Sequence, residues 1–389
     1  MDDEIKLAIR AVTPKLTALR RELHAIPELG FQEHKTSALI SERLRKIGLD
    51  VTTGIGKTGV VGVLKGASAG KTLMIRADFD GLPISEATGL SFTSTHPGVM
   101  HACGHDGHVS IALGAAEVLS KLKTRLRGNV VFAFQPAEET GRGALAMIAD
   151  GLFDLVKADR VIGLHQANLV PLGQVRVKPE ICMASIDTFA IKVIGKGGHG
   201  ARPQLTVDPI VAAAQIVVAA QTLVSREIAP GEMGVVTFGQ VYGGTARNVI
   251  PESVMLEGSV RAFTPEVRAT IKDALPRIAA GAASALRART EFDWLEGVPP
   301  GVNDSTVAAW MTGIAGRVVG KDNVAPGAPM TGSDDMAELL NRVPGCYFFL
   351  GSPKEGVEPG PHQPRFDFDE ACLPIGSEIF VRAALDYLA

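Results

Sequence analysis

Residues Met100 to His108 read Met-His-Ala-Cys-Gly-His-Asp-Gly-His and gather three of the nine histidines and one of the four cysteines of this 389-residue chain. Cys103 and His105 stand two apart, so an extended segment sends both side chains to the same side, where they can meet one ion. Gly104 between them lets the backbone bend closely around it. Thiolate and imidazole are borderline-soft donors that divalent transition metals accept. A lone loop histidine is usually solvated, but a cluster of this density points to metal chemistry.

Further polar residues follow apolar runs. Asp78 and Asp80 come after Ala77, Glu138 and Glu139 after the Phe132 to Phe134 run, and His165 after Leu164. A single Asp behind a strand is commonly a turn or cap residue. Adjacent carboxylates repel each other unless a cation sits nearby. With one, either member of the pair can coordinate while its neighbour takes a proton from water, the division of labour that metal-assisted hydrolysis needs. His199 lies in a Gly-rich turn and His362 in a Gly- and Pro-rich loop, and each by itself reads as an exposed side chain. Asn248 and Arg261 could orient an anion, although a strand-end arginine is more often a solvated one.

The elements that must position these groups alternate. Helical spacing at Leu16, Leu19, Leu23 and Ile26 is followed by a helix over 36–47, then by apolar strands at 59–64, 72–77, 129–134 and 160–164, with helices at 109–122 and 143–149 between them. That order predicts an α/β domain with a largely parallel sheet covered on both faces, whose site lies beyond the C-terminal strand ends. From 186 the order becomes strand, helix, strand, strand, helix, strand (186–194, 207–224, 234–241, 253–261, 265–288, 290–295), the split βαβ unit. It reads as a domain inserted over 186–299, with 1–185 and 300–389 forming the discontinuous first domain. A helix over 306–318, a strand over 346–350 and a final helix over 371–388 complete the latter, and 322–333 is a loop at the active-site edge.

Composition bounds the partners. Hydrophobic residues make up 46% and the formal net charge is -3 without a long charged run, so neither nucleic acid nor an anionic membrane is expected and the substrate is a small molecule. The acidic N-terminus lacks a secretory pattern, and the four dispersed cysteines fit a reducing, cytoplasmic setting. The apolar 210–224 stretch reads as a buried helix, too short to cross a bilayer comfortably.

Taken together, the motifs resemble the hippurate hydrolase and indole-acetyl amino acid hydrolase branch of the dinuclear-metal aminoacylase and carboxypeptidase family. The resemblance runs through HAIPELGFQE ending at Glu33, RADFDGLPI (Arg76 to Ile84), MHACGHDGH, FQPAEE (Phe134 to Glu139), GLH (Gly163 to His165), GKGGHGARP (Gly195 to Pro203), RNVIPE (Arg247 to Glu252) and HQPRFDFDE (His362 to Glu370). It implies a phosphorylase/hydrolase-like α/β catalytic domain with a ferredoxin-like α+β lid and dimerisation domain. It also implies two divalent ions per subunit, of Zn, Mn, Co or Ni, held by Cys103, His105, Glu139, His165 and His362, with Cys103 as bridge. Glu138 would be the general base, and His199, from the insert of a partner subunit, would polarise the substrate carbonyl. Asn248 would share the oxyanion contact and Arg261 would hold the substrate carboxylate. The implied activity is hydrolysis of N-acyl or N-aroyl amino acids by a homodimer or homotetramer.

Some positions depart from the family pattern: Gln204 after Pro203, Gln166 after His165, and Asp334-Asp335 in a Thr331 to Asp335 run where Ser-Glu-Asp is usual. These bear on the substrate pocket rather than on the ligands. His101 and His108 are expected to support the ligands, and Asp106 to cap the helix that follows. Three other readings stay open on sequence: a dipeptidase or carboxypeptidase with the same site, a hydrolase with Cys103 as nucleophile, and a metal-binding protein without activity.

Overall fold

The apolar runs fold as two units in the computed structural model, which describes residues 2–358 and 360–389. The first unit comprises the chain through Cys182 together with Val302–Ala328 and Asp334–Ala389; the second is Met183–Gly301 with Pro329–Ser333. The 322–333 segment, expected as a plain loop of the first domain, thus divides. Its last five residues join the second unit because Ala184 N donates to the Met330 carbonyl at 3.0 Å and the Arg261 guanidinium to Ser333 Oγ, also at 3.0 Å.

In chain order the first unit carries α1 (Asp2–His24), α2 (His34–Lys46), β1 (Asp50–Ile55), β2 (Gly59–Lys65), β3 (Ser68–Asp78), α3 (His105–Lys121), β4 (Arg127–Gln135), α4 (Gly143–Ala149), α5 (Leu152–Leu155), β5 (Arg160–Ala167), β6 (Val175–Arg176) and β7 (Glu180–Met183). The second unit follows with β8 (Asp187–Ile194), β9 (Gly198–His199), α6 (Pro209–Arg226), β10 (Gly234–Gly243), β11 (Val249–Ile250), β12 (Ser253–Ala262), α7 (Pro265–Ala285) and β13 (Arg289–Leu295). The chain returns through β14 (Gly301–Asn303), α8 (Ser305–Val319), β15 (Val324–Ala325), α9 (Met336–Leu340), β16 (Gly345–Gly351) and α10 (Cys372–Tyr387).

The first unit's sheet runs β1-β2-β4-β3-β5-β16-β6-β15. Its centre, β4-β3-β5-β16, is parallel, as is the edge pair β6 with β15; β1 with β2, β2 with β4, and β16 with β6 are antiparallel. The expected largely parallel sheet is therefore a mixed one. β1 and β2 are joined through Gly56–Thr58, far too short for the crossover that parallel neighbours require. The four central strands end at one edge of the sheet, and Asp78, Gln135, His165 and Ser352 lie there.

Helices α1, α3 and α10 share the large core under this sheet. α1 begins well before the expected Leu16, since Ile5, Ile9 and Val12 extend the same buried stripe across Pro14. α3 is buried on nearly every side because glycine lets its neighbours close in: a Cβ on Gly107 would stand 2.6 Å from the Phe368 ring, and one on Gly114 2.6 Å from Leu16. Arg20, fully buried on α1, ties the bundle to the site. Its guanidinium meets Asp106 at 2.9 Å and Asp367 at 2.7 Å, and lies 4.4 Å over the Phe368 ring.

In the second unit the four-stranded sheet runs β10-β12-β8-β13 with every pairing antiparallel, and α6 and α7 fill the two crossovers of a βαββαβ unit. β8 alternates inward Phe189, Ile191 and Val193 with outward neighbours, and Ala212, Ile216, Leu223, Ile271 and Leu275 of the helices join the same core. Asp208 caps α6 by accepting from the N–H groups of Ile210 and Val211. The helix is not the wholly buried one expected: Ile210, Val211 and Val218 face outward, with Val218 66% exposed. Val235, Val241 and Tyr242 of the edge strand β10 are exposed as well.

Candidate active site

Cys103 and Gly104 precede α3, and His105 is its first residue. Gly104 has φ 89°, a left-handed conformation, and a Cβ there would run into the Gln166 side chain at 2.6 Å. Only glycine suits both demands. The Gln166 amide in turn donates to the Cys103 carbonyl at 2.8 Å, so the departure from an apolar residue at this position has a structural use.

The five residues expected as ligands converge from four segments of the chain: the start of α3, the turn after β4, strand β5 and the loop before α10. Cys103, His105 and His165 form one group whose donor atoms all lie within 4.8 Å of each other, and Cys103, Glu139 and His362 form a second. Cys103 belongs to both. Its Sγ is 3.5 Å from His165 Nε2, and His362 Nε2 is 3.3 Å from Glu139 Oε2. Each imidazole presents one nitrogen: His105 Nδ1 is 3.0 Å from the Asp80 carbonyl oxygen and His165 Nδ1 2.5 Å from that of Gln166, which leaves both Nε2 atoms facing the cluster. His362 has φ 64°, and its N–H donates to the Ala102 carbonyl at 2.7 Å, fastening the C-terminal loop beside Cys103.

Two atoms test whether a cation fits. His105 Nε2 and Glu139 Oε1 are buried without a hydrogen-bond partner, an arrangement that costs free energy unless something else satisfies them. They lie 3.9 Å apart, among a thiol, three imidazoles and a carboxylate, and this donor set suits a divalent transition metal.

Electrostatics agree. Burial pushes the Cys103 thiol up to about 12, and Glu139 adds to it, so without a cation it is a thiol and a poor nucleophile at neutral pH. Burial lowers His165 to about 4, leaving the neutral imidazole that a ligand must be. For His105, burial opposes the charged form, but Asp78 and Asp80 outweigh it and raise the group well above the usual histidine range; as a ligand it would give up that proton to a cation. Glu138 is raised well above the ordinary carboxylate range by burial, then by Asp334 and Glu139, as befits a group whose task is to take up a proton. Its Oε2 is 3.8 Å from His105 Nε2.

Around this centre stands a buried support that the sequence only hinted at. Asp78 Oδ1 lies 2.5 Å from His108 Nδ1, and His108 Nε2 accepts from Gln166 N at 3.0 Å, which assigns the ring proton to Nδ1. Asp80 Oδ2 accepts from the Glu139 N–H at 3.0 Å, so it is more than a turn residue. Arg76, 1% exposed, pairs with Asp78 at 2.7 Å, Asp334 at 2.9 Å and Asp335 at 3.1 Å, and the Tyr347 hydroxyl donates to Asp334 at 2.6 Å. Further groups join Asp78 and His108 to His105, Glu138 to His105 and Glu139, and Asp334 and Asp335 to Glu138, but Arg76 already serves the carboxylates of Asp78, Asp334 and Asp335, and both ring nitrogens of His108 are hydrogen-bonded. The usable signal for this network was a buried-type arginine inside an apolar strand. Asp106 is not at the cap position of α3, which is Gly104, but its Oδ1 accepts from the first-turn N–H of Gly107 at 2.9 Å while its Oδ2 receives Arg20 and His24. His101 is buried with neither ring nitrogen bonded, held neutral by burial at about 4, and belongs to no donor group.

The remaining expected residues lie in the second unit. β9 pairs with β11 so that His199 stands opposite Val249, and Gly200 N donates to the Asn248 carbonyl at 2.9 Å, which brings His199 and Asn248 together. Ala201 N donates to His199 Nδ1 at 3.0 Å, so Nε2 carries the proton and points away from the turn as a donor. Arg261, half-buried on β12, has Ser333 Oγ as hydrogen-bond partner and no carboxylate partner among the described residues.

Residues 74–386 match peptidase family M20/M25/M40. The chain is 38% identical to the N-acetyl-L-cysteine deacetylase of Bacillus subtilis over 92% of its own length and 85% of that protein's. It is 37% identical to thermostable carboxypeptidase 1 of Saccharolobus solfataricus, covering 96% of both. Among solved structures, the YXEP protein of Bacillus subtilis, a dinuclear metal-binding peptidase of family M20, superposes with a TM-score of 0.85 at 34% identity, over 97% of this chain and 99% of the other.

Proposed function

The chain belongs to peptidase family M20/M25/M40, a metal-dependent hydrolase of amide bonds, and from that premise we propose that its substrates are N-acyl or N-aroyl amino acids, cleaved to a carboxylic acid and a free amino acid. The observation that carries the reading is Cys103 shared between two donor groups with Glu138 beside them but outside both. Cys103, His105, Glu139, His165 and His362 would hold two divalent ions, which when bound supply Lewis acidity and lower the pKa of a nucleophilic water.

The chain's own residues perform the proton work. Glu138 takes a proton from the attacking water and returns it to the leaving amine; it stands outside the five proposed ligands, and its proximity to them and raised proton affinity suit the task. The His199 Nε2–H donor suits a carbonyl oxygen that gathers negative charge, with Asn248 at its side. Arg261, lacking a carboxylate partner, suits the free carboxylate of an amino-acid product.

The test is a hydrolysis screen with hippurate, N-acetyl amino acids and dipeptides, before and after chelation. Turnover of the N-acyl amino acids should vanish on chelation and return with Zn²⁺, Mn²⁺, Co²⁺ or Ni²⁺. A preference for dipeptides would shift the reading to the carboxypeptidase side, which the Saccharolobus relative favours. Loss of activity to thiol alkylation with none to chelation would revive Cys103 as nucleophile, although its raised thiol pKa speaks against that.

The assembly is proposed as a homodimer or a homotetramer built from dimers. In support, the second unit exposes Ile210, Val211 and Val218 on α6 and Val241 and Tyr242 on the edge strand β10, an apolar face of the kind that covers itself by association. If His199 serves the partner's centre, mixing His199→Ala and Glu138→Gln subunits restores about a quarter of wild-type activity, because half the dimers are mixed and each carries one intact site. No recovery on mixing would place His199 in its own subunit's site.

A further inference from the structure

Glu33 closes the N-terminal HAIPELGFQE stretch and has no part in the chemistry above, yet its carboxylate is fully buried. Oε1 accepts from the Ala137 N–H at 2.9 Å and Oε2 from the Thr58 hydroxyl at 2.6 Å. Ala137 immediately precedes Glu138 and has φ 52° and ψ 36°, a left-handed backbone that a residue with a Cβ keeps only where its surroundings impose it. Gly30 packs on the same turn, where a Cβ would lie 3.0 Å from the Ala137 and Thr140 side chains. Other remote carboxylates hold the rest of the loop: Asp80 accepts from Glu139 N at 3.0 Å and Asp335 from Ala144 N at 2.8 Å.

We infer that Glu33 is a positioning residue for hydrolysis: by accepting the Ala137 N–H it fixes the left-handed turn from which Glu138 and Glu139 project, and so sets base and ligand at their working separation. The inference rests on the proposed roles of Glu138 and Glu139. A buried N–H demands an acceptor, and no other group holds this one. Released, Ala137 would relax toward a right-handed or extended backbone and carry both carboxylates with it. Misplacement of a reacting group by about 1 Å can cost on the order of 10²-fold in rate. Both partners of the Glu33 carboxylate are neutral donors, an amide N–H and a hydroxyl, so reach rather than charge is what the position requires.

That distinction makes the test. Glu33→Gln keeps the reach and loses the charge: its amide oxygen can accept from Ala137 N and its amide nitrogen can donate to Thr58 Oγ1. Glu33→Asp keeps the charge but is a methylene too short to hold both partners. Both should fold, with melting temperatures of the metal-free proteins near that of wild type. Glu33→Gln is expected to retain kcat within about threefold, whereas Glu33→Asp loses roughly 10- to 100-fold in kcat with KM little changed. Mn²⁺ titration of the metal-free proteins should show weaker uptake for Glu33→Asp alone, as Glu139 shifts. The inference is overturned if the order is reversed, if both variants match wild type, if both are equally impaired, or if Glu33→Asp only melts earlier with kcat per folded molecule intact. Any amide that wild type cleaves serves as the assay. A wild type that cleaves none would sink the proposed function, while the Mn²⁺ comparison would still judge Glu33.

Discussion

Glu138→Gln is expected to abolish turnover while leaving the bound metal in place. The substitution preserves shape and hydrogen-bonding reach but removes the group that carries a proton from water to the departing amine, a service worth about 10²–10⁴-fold and needed twice in amide hydrolysis. An amide gives little help of its own, since its nitrogen leaves only when protonated. Glu138 lies close to His105 yet stands outside both donor groups that contain Cys103, and for that reason metal content measured by elemental analysis should equal that of wild type. Near-normal kcat would remove Glu138 from the mechanism. Loss of metal together with activity would instead make it a ligand.

Cys103→Ala should lose both metal and activity. The thiol is the one side chain common to the two groups, so its removal weakens two sites at once. It also leaves His165 Nε2 and Glu139 without their nearest sulfur, in a pocket where His105 Nε2 and Glu139 Oε1 already depend on a cation for satisfaction. Turnover should fall by several kcal/mol of transition-state stabilisation, on the order of 10³-fold or more. With Co²⁺ as probe, the near-ultraviolet thiolate-to-metal band of wild type should be missing. Wild-type stoichiometry with the same band in the variant would show that another cysteine is the ligand. Because the thiol is raised to about 12 before metal enters, uptake by wild type should also release a proton that Cys103→Ala does not release.

The two experiments separate what each carboxylate and thiol contributes. Glu138 and Glu139 are adjacent in sequence and alike in chemistry, yet their environments push them apart: Glu138 is raised by burial, Asp334 and Glu139, whereas Glu139, although burial opposes it, is lowered by His362 and His105. One is set to bind a proton and the other to stay charged beside a cation. Sequence alone could say only that such a pair must divide its labour.

Local sequence signals picked out Cys103, His105, Glu138, Glu139 and His165 and the elements that carry them, whereas His199 and His362 entered only through the family resemblance. Cys and His two apart, paired carboxylates behind an apolar run, and period-2 and period-3.6 patterns are local signals, so β4, β5, β8, α6 and the inserted βαββαβ order were legible from them. Three things belonged to the tertiary structure alone. The sheet's antiparallel margin depends on which strands become neighbours, and β1, exposed and polar along much of its length, gives no apolar run to read. The roles of Asp106, Asp78 and Asp334 depend on Arg20 and Arg76 arriving from elsewhere in the chain, and a buried charge is recognisable only once its partner is known. The left-handed turn at Ala137 was invisible for the same reason: nothing in Gln-Pro-Ala-Glu-Glu asks for a positive φ, and it persists because Glu33, 104 residues away, accepts its N–H. Local pattern chose the groups that can react; only long-range packing and hydrogen bonding set the distances at which they can do so.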